Sequence, residues 1–170
     1  MKYDLYKCNA KDSHRYILGK SGQRTLFIVG LNPSTANQFK ADTTVAKVQQ
    51  VALNNGYDGI VMTNLSPVRS TDPKKLPKRM MAQTMTGNID QILAYSNLHP
   101  NPLFWAAWGS DITTRGYLLR ACAQLHAGVR DQGGSWVHFG ALTKAGHPRH
   151  PSRLAYAWSF SAFDIDGYLT

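Results

Sequence analysis

Four short apolar runs, each closed by a glycine or an asparagine and followed at once by a polar segment, constrain this chain more than any other feature. They are Thr25–Val29 before Gly30, Gly59–Thr63 before Asn64, Leu103–Trp108 before Gly109, and Trp136–Phe139 before Gly140. Each is too short for a helix and apolar on both faces, the pattern of a strand buried within a parallel sheet. Helical spacing fills the gaps between them. Asp42-Thr43-Thr44 offers an N-cap ahead of Val45, Val48, Val51 and Ala52. Met81, Met85, Ile89, Ile92 and Leu93 form a second apolar stripe, read as core packing. Asp111 or Thr113 is placed to cap a third helix bearing Tyr117, Leu118, Ala121, Cys122 and Leu125. Pro73 to Pro77 reads as a loop.

Ahead of the first run, Tyr3 to Lys20 alternates loosely and breaks at Lys11-Asp12-Ser13, which predicts a β-hairpin. The pattern is therefore βαβαβαβ behind a hairpin. Right-handed crossovers turn it into an α/β three-layer sandwich with a central four-stranded parallel sheet and an N-terminal β-hairpin. No linker interrupts residues 1–170, so one domain is expected, close to the typical ~150 residues.

Charge narrows the partners. Nineteen Lys and Arg face ten Asp and Glu, a net charge of +9. A small domain this basic points to a polyanion, nucleic acid first and an anionic membrane surface second. The apolar runs fall far short of the about 18 residues that cross a bilayer. The N-terminus, MKYDLYKCNA, has no signal-type apolar segment, so a cytoplasmic protein without a membrane partner is expected. Cys8 and Cys122, the 2 cysteines, cannot build a disulfide framework or a four-thiolate metal or iron–sulfur site. No cofactor is implied, and a monomer is expected.

Parallel strands place the segments that follow them on one edge of the sheet, where ligands bind. Those segments are Gly30-Leu31-Asn32-Pro33-Ser34, Asn64-Leu65-Ser66-Pro67-Val68-Arg69, Gly109-Ser110-Asp111, and Gly146-His147-Pro148-Arg149-His150-Pro151-Ser152-Arg153-Leu154. Two histidines three apart also invite a metal reading. Pro148 and Pro151 break any helical face between them, and no carboxylate or thiol lies nearby in sequence, so no metal is expected.

GLNPS after the first strand, asparagine closing the second, WGS after the third and HPSRL near the C-terminus resemble the uracil-DNA glycosylase superfamily. The first motif is closer to the GINPG of its mismatch-specific, thymine glycosylase-like branch, and the last is closer to the classical HPSPL. Over nearly its full length the chain also resembles a bacterial and phage domain family marked by LNPST, a following Asp-x-Thr, a TDP and a C-terminal PRHP. The resemblance implies a uracil-DNA glycosylase-like fold and a monofunctional DNA glycosylase acting on single- or double-stranded DNA. Such an enzyme extrudes a nucleotide and breaks the bond between base and deoxyribose.

The resemblance also implies roles. Asn32 stands where the family positions water; an amide can orient water but is a poor proton acceptor. Asn64 stands where a carboxamide reads the base's polar edge. His150 would donate to the base oxygen on which negative charge accumulates, with His147 as the alternative. Ser34, Ser110 and Ser152 suit phosphate contacts, Arg153 and Leu154 match the wedge that fills the vacated stack, and Arg69, Lys144 and Arg149 supply the electrostatic grip. Phe39 is the candidate for stacking on the base. Ser34 replaces a tyrosine that in classical enzymes blocks substituents at C5 of the base. The small residue implies a C5-modified pyrimidine as substrate, including hydroxymethylated or glucosylated cytosine of phage DNA, with abasic sites as the antiviral product. Uracil or thymine mismatch repair is the alternative within the class. A non-catalytic DNA- or RNA-binding domain and an enzyme on free nucleotides are the rivals outside it.

Overall fold

A computed structural model describes residues 2–170. The strands are β1 (Leu5–Cys8), β2 (Arg15–Lys20), β3 (Thr25–Gly30), β4 (Gly59–Asn64), β5 (Leu103–Ala106), β6 (Ser135–Phe139) and β7 (Phe160–Ala162). The helices are α1 (Thr43–Asn54), α2 (Ala82–Ser96), α3 (Gly116–Asp131) and the short α4 (Ile165–Leu169). All strands join one mixed, 7-stranded sheet in the order β1-β2-β4-β3-β5-β6-β7. The expected four-strand parallel run is its centre: β4 with β3, β3 with β5, and β5 with β6 all pair parallel. A four-stranded sheet with a separate hairpin is therefore corrected. The hairpin of β1 and β2 adds to the sheet through antiparallel pairing of β2 with β4, and β7 closes the far edge antiparallel to β6. Among the described residues no helix is long and apolar enough to cross a membrane.

Period-two alternation sorts the core onto two faces. Leu26 and Ile28 of β3, with Ile60 and Met62 of β4 and Trp105 of β5, pack beneath Val45, Val48, Val51 and Ala52 of α1. Phe27, Val29, Val61, Phe104 and Ala106 face the opposite way, against Ile89 and Ile92 of α2 and Leu118, Ala121, Cys122 and Leu125 of α3. The chain leaves β3 toward β4 across one face and returns from β4 to β5 across the other. That reversal makes the carboxyl ends of β3 and its neighbours the topological switch point, where open α/β sheets hold ligands.

Three local expectations need correction. Met81 lies just before α2 and is 71% exposed, so the core stripe of that helix begins at Met85. Asp111 and Thr113 do not cap α3; they belong to a 3₁₀ turn, Ser110–Thr114, and α3 begins after Arg115 without a side-chain cap. The Pro73–Pro77 loop contains a 3₁₀ turn, Pro73–Lys75, capped by Asp72.

Candidate functional site

At the switch point the loops after β3, β4 and β5 and the segment 143–153 enclose a cavity of about 580 Å³. Asn32, Ser34, Asn64, Ser110, Arg149, His150, Ser152 and Arg153 all line it. Four chain segments thus deliver the polar residues to one place, because parallel strands end on the same edge.

Asn64 closes β4 at the cavity wall and is only 1% exposed. Neither its Nδ2 nor its Oδ1 has a partner among the described residues. A buried polar group left unpaired costs about 1–3 kcal/mol, so this carboxamide is held ready for something that enters. Gly30 makes room for it. The two residues are in register across β3 and β4, and a Cβ on Gly30 would lie 2.7 Å from Asn64 Oδ1.

Asn32 divides its amide between two tasks. Nδ2 donates to the carbonyls of Pro33, at 3.0 Å, and Ser70, at 2.9 Å. These bonds tie the loop after β3 to the loop after β4 and fix the amide's orientation. The oxygen is an acceptor, chemically able to orient a water molecule but unsuited to take its proton.

His150 precedes the 3₁₀ turn Pro151–Arg153 and caps it. The Ser152 N–H donates to its Nδ1 at 3.2 Å, and the Ser152 hydroxyl lies 2.9 Å from the same nitrogen. An Nδ1 that accepts from a backbone N–H carries no proton, so the neutral ring holds its hydrogen on Nε2. Burial pushes the imidazole pKa below its usual value, partly opposed by the Asp111 and Asp42 carboxylates. The outcome is a neutral Nε2–H donor. His147 does not line the cavity; its Nδ1 lies 2.8 Å from the hydroxyl of Tyr168, which also accepts from Trp108 Nε1 at 3.1 Å. That chain of contacts fastens the 146–150 segment to the end of β5.

The rim is basic and hydroxylic. Arg149 donates through Nε to the Ala141 carbonyl at 2.7 Å and sits over the Trp158 ring, while Ser110, Ser152 and Arg153 are exposed at the opening. Other residues expected at the site stand elsewhere. Phe39 is 64% exposed and outside the cavity wall, so nothing places it on a bound base. Leu154 packs against the apolar cluster beneath α1 rather than projecting as a wedge. Lys144 is exposed beyond the wall. Arg69 is no free phosphate grip: its guanidinium is taken up by the Ser34 and Ala36 carbonyls, the Tyr6 hydroxyl and Asp12.

Two cavity residues were not anticipated as such. Arg15 opens β2 and is 2% exposed, and its guanidinium makes one hydrogen bond among the described residues, from Nη1 to the Ala36 carbonyl at 3.1 Å. Asp42 is both the N-cap of α1, accepting from Val45 N at 2.9 Å, and part of the wall. The signal for Arg15 is a charged residue heading the apolar run Tyr16-Ile17-Leu18. Of the residues with buried, unpartnered side-chain polar atoms, Arg15 and Asn64 line this cavity, whereas Asn88, Trp105, His126 and Trp136 do not.

No curated protein and no solved structure matches the chain. The family model described as "Protein of unknown function (DUF1643)" matches residues 15–152, a span that reaches from the buried arginine of the wall to the serine that sets the tautomer of His150, and the chain belongs to that family.

Proposed function

We propose that the chain is a monofunctional DNA glycosylase that hydrolyses the N-glycosidic bond of a pyrimidine modified at C5, hydroxymethylated or glucosylated cytosine of phage DNA being the substrate class. One observation supports this above the others: Asn32, Asn64 and His150 reach a single cavity of about 580 Å³ from three separate segments, and both polar atoms of Asn64 are unpaired. The volume falls within the roughly 300–1,000 Å³ of small-ligand pockets. A uracil-DNA glycosylase-like fold is part of the same reading, supported by a parallel core whose ligand edge holds the resembling motifs in order.

The groups divide the reaction between them. Arg149, Arg153 and the serine hydroxyls at the opening grip phosphates and hold the strand while the nucleotide turns out of the stack. Asn64 accepts from one ring-edge atom of the base and donates to its neighbour. Asn32 Oδ1 orients a water toward C1′ of the sugar. As the bond from C1′ to the base breaks, its electron pair leaves with the base, and the His150 Nε2–H steadies that charge. The water oxygen bonds to C1′, and its released proton neutralises the departing base. Asn32 itself is a poor proton acceptor, so the chemical step is slow and rests on leaving-group stabilisation. Ser34 contributes a small side chain to the wall, leaving volume for a C5 substituent.

The test uses oligonucleotides carrying one uracil, one mismatched thymine, one 5-hydroxymethylcytosine or one glucosylated 5-hydroxymethylcytosine. After incubation, alkali converts abasic sites to strand breaks. Breaks on the C5-modified strands, lost about 10- to 1,000-fold in Asn32→Ala, are expected. Intact strands throughout, with DNA demonstrably bound, would leave a non-catalytic binder.

A further inference from the structure

We propose that Arg15 reads the C5 substituent by donating to an oxygen carried there, so that the preferred substrate bears a hydroxyl-rich group and not a methyl. The inference rests on the glycosylase reading and adds the residue and the chemistry that set its specificity.

Arg15 is a cation buried in the wall without a direct ion pair, although the Asp42 carboxylate acts on it from beyond contact distance. The ion pairs among the described residues are Arg69 with Asp12 and His126 with Asp166, and Arg15 belongs to neither. Its Nε has no partner, and Arg69 donates to the same Ala36 carbonyl, crowding two positive charges together. A buried charge so poorly satisfied is costly, and a ligand acceptor would relieve it. Position favours the C5 side. Arg15 is bonded to Ala36, two residues beyond Ser34, on the loop that Arg69 anchors through the carbonyls of both. Ser34 and Arg15 line the same cavity, so the space left by the small serine is open to this guanidinium.

The type of acceptor follows from Asp42, which lines the same wall. Arginine only donates and a carboxylate only accepts. A hydroxyl satisfies both, taking a hydrogen bond from Arg15 on its oxygen and giving its own hydrogen to Asp42. A phosphate or carboxylate ligand would be repelled by Asp42, and a methyl group would leave Arg15 Nε without an acceptor. Sites built to bond a hydroxyl reject analogues that lack it by as much as about 10⁴-fold.

The same oligonucleotide panel, read for wild type, Arg15→Met and Arg15→Lys, tests this. The rate on 5-hydroxymethylcytosine relative to uracil is expected to fall at least about 100-fold in Arg15→Met and part-way in Arg15→Lys, whose point charge lacks the planar fork. An equal loss on every base overturns the inference while the glycosylase reading stands. If Arg15→Met does not fold by circular dichroism, Arg15→Lys decides, and an unchanged ratio overturns it. A second measurement separates the two ideas. The thermal midpoint of each protein is followed with dCMP and with 5-hydroxymethyl-dCMP. A larger upward shift with the hydroxylated nucleotide, lost in Arg15→Met, supports the contact even if no strand is ever cut, in which case only the glycosylase reading falls. Equal shifts in wild type together with uncut strands overturn both.

Discussion

Gly109 and His150 touch: a Cβ built on the glycine would lie 3.0 Å from the Cβ of the histidine. The glycine also has φ 73° and ψ −173°, a conformation nearly restricted to glycine. The close of β5 is thus shaped to let the histidine segment lie against it. Gly109→Ala is expected to cost about 1–3 kcal/mol of stability and to push His150 away from its place on the wall. A displaced donor lowers the excision rate about 10-fold or more while DNA affinity changes little. Single-turnover rates beside equilibrium binding check it, and parallel losses in rate and binding would count against it.

Asn64 sets stability against function. Its two unpaired atoms burden the empty fold, and its backbone carbonyl, which accepts from Asn88 Nδ2 at 2.8 Å, does not depend on the side chain. Asn64→Val keeps a strand-compatible shape and removes both atoms. The melting midpoint is expected to rise by about 2–8 °C, the counterpart of relieving about 1–2 kcal/mol. Base excision is expected to vanish. A lower midpoint would mean that the carboxamide serves the fold.

The neutral state of His150 predicts a one-sided pH profile. Burial holds the folded pKa below the usual 6.5, with Asp111 and Asp42 opposing in part. Between the lowered value and 6.5 the unfolded chain binds more protons than the folded one. The stabilisation is therefore complete above 6.5 and is lost as pH falls through the lowered value. Activity follows the same direction, because protonating Nδ1 turns a donor toward the Ser152 N–H and breaks the cap. Excision is expected to be level from neutral pH to about 9 and to fall only below 6.5. A maximum on the acid side would assign the histidine a general-acid role instead.

The parallel core was legible because strands buried on both faces read as unbroken apolar runs, and Asp42 was legible because capping is a local affair. β7 was not, since Phe160-Ser161-Ala162 has no such run and is defined by pairing with β6. The pairing of β2 with β4 is equally invisible locally, joining Leu18 to Met62 across the chain. At the site, Asn32, Asn64 and the 147–150 pair stood out as polar residues just past strands. The choice between the histidines required coordinates, because His147 is turned to Tyr168 and His150 to the cavity. Arg15 was hidden for a related reason. One arginine in a strand ordinarily faces water, and only the loop folded over it, with Ala36 as its partner, buries it.

Arg69 and Arg153 carry the same charge and are expected to fail in opposite ways. Arg153 is exposed and lines the cavity, where the proposed substrate's phosphate would meet a guanidinium. Arg153→Ala is expected to weaken binding of all DNA sequences alike and to reduce the slope of log affinity against log salt by about 1, the signature of one lost phosphate contact. Arg69 instead donates at 2.6 Å to both the Ser34 carbonyl and the Tyr6 hydroxyl, and at 3.0 Å to Asp12. Arg69→Met leaves those carbonyls short of a charged donor and frees the 34–36 loop, at a cost of about 2–4 kcal/mol. Its salt slope should match wild type, because no phosphate reaches a guanidinium already surrounded by protein acceptors. Thermal melts and binding titrations across salt concentrations separate the two variants. A reduced slope in Arg69→Met would mean that its guanidinium leaves Asp12 for the DNA backbone when the strand binds.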